Sequence, residues 1–167
     1  MSSSSERTVR TVLGDVKPEQ LGHTQCHEHI YLEKGPSFAC NPALCMDDYE
    51  KSRKELCDYA LAGGGTIVDA QPGGCGRNAA VLARLSEASG VRIVAVTGFH
   101  KKCFFDRDSG LDIQSETALT ERFCTEVKTG MSKTFVCQHR PQGTTTQQMH
   151  MNMINFLTTV AITVHGG

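Results

Sequence analysis

The stretch TIVDAQPGGCGRNAAVLARLSEASGVRIVAVTG, residues 66–98, decides the fold. Thr66-Ile67-Val68-Asp69-Ala70 is short and β-branched, while Val81, Leu82, Leu85 and Ala88 recur at helical spacing up to a stop at Gly90. Val91 to Gly98 is again an apolar run of the kind a buried strand carries. Strand, helix and strand in so short a span form a βαβ unit, whose crossover makes the two strands parallel. Outward from it, Tyr49, Leu56, Tyr59 and Ala60 share one face of a helix predicted over 47–62, stopped by Gly63-Gly64-Gly65. Residues 22–32 read as an earlier strand and 12–16 as a hairpin-like lead-in. Leu119, Phe123 and Val127 mark a further helix over 115–128. This alternation predicts an α/β fold with a parallel sheet covered by helices.

Composition excludes several function classes. Of 167 residues, 39% are hydrophobic, enough for a core of ordinary size. Lys plus Arg number 17 and Asp plus Glu 18, so the formal net charge of −1 offers no electrostatic excess for nucleic acid or anionic lipid. The longest apolar run, 153–164, is broken by Asn155, Thr158, Thr159 and Thr163 and falls short of the roughly 20 residues a bilayer needs. With no apolar segment behind Met1-Ser2-Ser3-Ser4-Ser5, the expected compartment is the cytoplasm. The eight cysteines form no C-x-x-C pair, which predicts free thiols and argues against a zinc ribbon.

The residues with the clearest chemistry are His27 and His29. Two apart on a strand, they project from one face with about 6 to 7 Å between them along the backbone, so both imidazoles can meet one ion. Glu28 between them points the other way and, if buried, needs a hydrogen-bonding partner. Asp69 sits at a strand end, where a polar role is open but unassigned. Phe99, His100, Cys103, Phe104 and Phe105 follow a strand and either line a site or pack on one another. Gly73-Gly74-Cys75-Gly76 lacks the G-K-[ST] ending of a phosphate-binding loop and reads as an ordinary turn.

With these residues in view, the chain resembles the phosphotriesterase family of the amidohydrolase superfamily. The similarity is carried by Val12-Leu13-Gly14, by Thr24-Gln25-Cys26-His27-Glu28-His29 in the family's T-x-x-H-E-H pattern, and by Thr66-Ile67-Val68-Asp69. It continues through Gly76-Arg77-Asn78, Val91 to Phe99 and Glu126 to Met131. The resemblance implies a TIM-type (β/α)8 barrel, here a partial barrel of about three strands, with its site at the mouth where the strands end. It further implies hydrolysis of ester, lactone or phosphoester bonds in a small-molecule substrate by a metal-activated water. The cofactor so implied is a divalent metal, zinc foremost, with two ions in the complete site and His27 and His29 as ligands. Two histidines alone accept zinc, manganese, cobalt or iron equally. The remaining family ligands, a lysine or glutamate on the fourth barrel strand, histidines on the fifth and sixth and an aspartate on the eighth, have no counterparts here.

Past Lys133 the composition changes. Of the 35 charged residues only Arg140 follows it, and the last 34 positions hold seven Thr, four Gln, three His and three Met. Where the family leads to its bridging lysine, this chain reads Phe135-Val136-Cys137-Gln138-His139, and Lys133 reads as a solvated helix-end charge. His139, His150 and His165 read as polar tail residues. The predicted organisation is an arm over 1–10, the N-terminal part of a hydrolase barrel over 11–133 and a divergent tail over 134–167. The expectation is therefore an incomplete, inactive piece of a metal-dependent hydrolase. The alternative is a non-catalytic truncated product acting through protein association, including self-association into a homo-oligomer across its open sheet edge.

Overall fold

The computed structural model describes residues 7–73, 75–104 and 115–131. The tail from 134 onward, Lys133 and Phe105 lie outside them. Five strands and four α-helices are described: β1 (Val9–Thr11), β2 (Gly14–Val16), β3 (His23–Glu28), α1 (Pro36–Cys40), α2 (Tyr49–Leu61), β4 (Gly64–Asp69), α3 (Ala79–Ser89), β5 (Arg92–Ala95) and α4 (Glu116–Thr129). Strands β1 and β2 form an antiparallel hairpin, and β3, β4 and β5 a parallel sheet in that order. Among the described residues the sheet does not close into a barrel.

Alternation along β4 and β5 builds two apolar layers. The register pairs Ile67 with Ile93 and Val68 with Val94, so successive residues face opposite sides. Ile67 and Ile93 join Leu56 of α2 and Leu82 and Leu85 of α3, with Ile30 and Val91, in the layer between sheet and helices. Tyr49, Tyr59 and Ala60, the other members of the predicted α2 face, are partly buried against it. On the opposite side Val68, Val94 and Val96 pack against Val9 of the hairpin. The hairpin also reaches the edge of β5, where Val12 N–H donates to Ile93 O at 2.9 Å.

Side-chain caps set the helix starts. Asp48, Asn78 and Ser115 each accept the backbone N–H three residues on, opening α2, α3 and α4. Gly90, with φ 74°, ends α3 as the sequence predicts. The triple glycine divides its duties differently from the prediction. Gly63 (φ 93°) turns the chain out of α2, whereas Gly64 and Gly65 belong to β4. A Cβ at Gly65 would sit 2.3 Å from Leu21 O, and one at Gly64 would meet the Tyr59 ring at 2.2 Å. Close approach, not a helix stop, is what those two positions require.

Polar contacts at its C-terminal end tie the distant helix α4 to the rest. Arg77, just before α3, donates to Glu126 Oε1 at 3.0 Å, and Thr97 Oγ1 donates to Glu126 Oε2 at 2.6 Å. The Arg77 and Glu126 side chains are only 6% and 10% exposed, so this is a buried pair. Burial alone would raise the Glu126 carboxyl, yet Arg77, Thr97 and Arg122 together hold it below the ordinary glutamate value. In the same last turn of α4, Arg10 donates to Val127 O at 3.3 Å and to Lys128 O, satisfying carbonyls that end a helix unpaired. Removing one partner of a buried pair strands the other charge. Glu126→Ala is expected to lower unfolding free energy by about 3 to 5 kcal/mol in urea titration, and Arg77→Met with Glu126→Leu together to cost markedly less.

Candidate functional site

Strand β3 pairs Thr24 with Thr66 and Gln25 with Ile67, but the next partners are Glu28 and Asp69, so three residues of β3 span what two of β4 span. This bulge lies at His27, and His29 falls just beyond the strand end. A bulge re-aims side chains. The two imidazoles nonetheless stand together, ring centroids 5.8 Å apart and planes at 80°, both exposed. An ion ligated at about 2.1 Å lies about 3.2 Å from a ring centroid, so two rings on one ion can be at most about 6.4 Å apart. The observed separation fits. Among the described residues, no three His, Cys, Asp or Glu side chains come together as a metal cluster.

The backbone carrying the pair is held from three directions. Ala70 N–H donates to Glu28 O at 2.7 Å, Ile30 N–H donates to Asp69 Oδ1 at 3.1 Å, and Ser52 Oγ of α2 donates to Ile30 O at 2.8 Å. Glu28 is half-buried and accepts from Gln25 Nε2 at 2.8 Å, which supplies the partner its position calls for.

Asp69 is fully buried, and its second oxygen, Oδ2, has no hydrogen-bond partner among the described residues. Burial pushes its carboxyl up to about 7, against the smaller opposing pull of the Ile30 N–H and the Arg77 charge. Near neutral pH the group is thus divided between acid and anion.

The segment after β5 packs on itself and on α4. Phe99 lies 5.4 Å from Phe123 with the Arg122 guanidinium 5.2 Å over its ring, and His100 stacks at 4.7 Å on Phe104. His100 Nδ1 accepts the Lys101 N–H at 2.7 Å. Burial lowers the His100 imidazole below its ordinary value, helped by Lys101 and His29, and because β3, β4 and β5 run parallel this segment leaves the sheet at the same end as the histidine pair. Gly73 N–H donates to Gly98 O at 3.1 Å, and Gly76, with φ 79°, lies so close to Glu33 that a Cβ would be 2.7 Å from its carbonyl oxygen. Cys75 and Gly76 form a turn, as the sequence predicts, while Gly74 lies outside the described residues. His139, His150 and His165 lie outside the described residues. The Arg77, Thr97 and Glu126 network and the anchoring role of Asp69 escaped the sequence reading, because their partners are 20 to 50 positions away and carry no local pattern. All seven described cysteines are free thiols, and no described helix is long and apolar enough to cross a membrane.

Comparison with known proteins agrees with this geometry. The family model described as the phosphotriesterase family matches residues 7–139. The chain is 36% identical over 133 residues to a phospho-furanose lactonase of Mycoplasmopsis agalactiae, covering 78% of this chain and 38% of that protein. It is 32% identical over 130 residues to an N-acetyltaurine hydrolase of Rattus norvegicus, covering 60% and 37%. Among solved structures, an amidohydrolase from Mycoplasma synoviae superposes with TM-score 0.71 at 31% identity, over 77% of this chain and 38% of that one. A lactonase from Listeria monocytogenes does so with TM-score 0.62 at 32% identity, over 74% and 43%. The chain therefore spans about two-fifths of the length of the relatives it matches. Their barrels give the fold class: the three parallel strands and covering helices are part of a (β/α)8 architecture.

The raised carboxyl makes a measurable statement about stability. A folded-state value above the ordinary 3.8 means that ionising Asp69 costs folding energy. Stability is full below about pH 4 and falls as pH rises to about 7, by up to about 4 kcal/mol. Urea unfolding of the parent chain and of Asp69→Asn between pH 4.5 and 8 should show the parent losing stability relative to the variant across that window.

Proposed function

The chain belongs to the phosphotriesterase family, and on that premise we propose that it carries the first metal-ligating strand of a metal-dependent hydrolase, with His27 and His29 holding a divalent cation, zinc foremost. The observation supporting this is the exposed, adjacent pair of imidazoles at 5.8 Å on an anchored strand end. Bound there, the cation supplies Lewis acidity toward a carbonyl or phosphoryl oxygen and acidifies a water. The chain's own part is to present two imidazole nitrogens, with Asp69 and Ser52 fixing the backbone that bears them. His100, stacked on Phe104, stands at the same rim, where a small substrate approaches.

The substrate class is a carboxylic or phosphoric ester, with lactones first because two of the relatives described are named lactonases. The family's further ligands fall on later barrel strands, so the 167-residue chain binds cation without turning over substrate. A second reading, association with another protein, has its own support in β3, where every residue before Glu28 is exposed.

Equilibrium dialysis against zinc is the test. His27→Ala and His29→Ala should each weaken zinc binding by at least about tenfold, the scale on which even outer-shell changes act. Unchanged uptake in both variants would overturn the assignment. Hydrolysis of a lactone or phosphoester panel by the parent chain at enzymatic rates would overturn the claim that it cannot turn over.

A further inference from the structure

Besides Cys45, the Cys57 of α2 and the Cys124 of α4, the described segments that follow β3, β4 and β5 carry one cysteine each: Cys40 at the end of α1, Cys75 in the turn before α3, and Cys103 in the short 3-10 helix Lys102–Phe104. The fold brings them together. Helix α1 packs against that 3-10 helix, and Cys40 Sγ donates to the Cys103 carbonyl oxygen at 2.8 Å, across 63 positions of sequence. The Cys40 thiol therefore touches the backbone of the residue that bears the second thiol. Cys75 lies close enough to feel both thiols and is buried, whereas Cys40 and Cys103 are both exposed. Ser37 of α1, 1% exposed, neighbours Cys75, yet its hydroxyl meets hydrogen-bond geometry with no described group. The three thiols form no metal cluster. What remains is an accessible pair on two loops with a third thiol sealed behind it.

We propose that Cys40 and Cys103 are a redox pair that closes into an intramolecular disulfide on exposure to a hydroperoxide, stapling the segment after β3 to the segment after β5. One thiolate attacks the peroxide oxygen, giving a sulfenic acid and releasing water after proton uptake. The second thiolate attacks the sulfenic sulfur, forming the S–S bond and expelling a second water. The two thiols give up two electrons and the peroxide accepts them, so hydrogen peroxide and two thiols become one disulfide and two waters. Access selects the pair, because oxidation follows exposure and the buried Cys75, whose thiol burial pushes up, is the poorer nucleophile. His100 and Phe104 flank Cys103 in the chain, so the staple constrains the segment that leaves the sheet at the same end as His29.

The test is peroxide treatment of the reduced 167-residue chain, alkylation of remaining thiols with N-ethylmaleimide, and peptide mass spectrometry. The expected product is a Cys40–Cys103 crosslinked peptide that dithiothreitol reverses, that disappears in Cys40→Ser and in Cys103→Ser, and that persists in Cys26→Ser. The same treatment in denaturing urea should scatter bridges among all cysteines, which separates a folded-state pair from chance pairing. Full alkylation of Cys40 and Cys103 after peroxide would overturn the proposal. Native-state bridges spread over Cys26, Cys57 and Cys124 as evenly as in urea, or formed only between molecules, would overturn it equally.

Discussion

Strand β4 is the element on which the rest depends. It is hydrogen-bonded along both edges, to β3 and β5, and its side chains from Thr66 to Asp69 are buried on both faces. A strand in that position must be apolar on consecutive residues, and Ile67-Val68 supplies one side chain to each layer. Its C-terminal residue then lies where water is excluded and backbone ends. Asp69 occupies that place, and its Oδ1 takes the Ile30 N–H left free where β3 stops. A single buried carboxyl thus joins the end of the central strand to the end of the strand that bears the histidines.

That arrangement has an electrostatic cost. The same burial that makes the Asp69 hydrogen bond strong raises the carboxyl to about 7, and Oδ2 has no partner among the described residues. Arg77 pulls in the opposite direction but is itself engaged by Glu126 and by Val96 O at 2.7 Å. The cation's charge is largely spent on Glu126, which it and its neighbours hold below the ordinary value, while Asp69 is left high. Two carboxyls near one guanidinium therefore shift in opposite directions, because Asp69 is the more deeply buried and Glu126 alone is in direct contact with the guanidinium.

Local pattern carried most of the fold. The βαβ unit, the α2 and α4 spans, the Gly90 stop and the turn at Cys75-Gly76 are legible because periodicity and glycine chemistry act within a few residues. Gly64 and Gly65 were misread as part of a helix stop because the requirement they meet, close approach of Leu21 and Tyr59, comes from elsewhere in the chain. Helix α1, five residues long, and the 3-10 helix at Lys102–Phe104 carry too few residues to show a period. In the site, the histidine pair was visible as spacing, but the bulge that re-aims it and the Arg77–Glu126 pair were not. Those depend on register and on contacts tens of residues apart, which no window of sequence contains.

The histidines themselves contribute little to holding their own position. Their rings are exposed, so packing does not restrict them. Restriction comes instead through the main chain of residues 28–30, which is bonded to Asp69 and Ala70 at the end of β4 and to Ser52 of α2. A side chain on a backbone held in this way keeps its ring nitrogens accessible while losing little further entropy when they are engaged, because only two side-chain torsions remain free. Had the rings been buried for rigidity, each would have needed a hydrogen-bonding partner that competes with any incoming cation or substrate. Anchoring through the backbone separates the two demands: the buried carboxyl and hydroxyl bear the cost of order, and the exposed imidazoles stay available for chemistry.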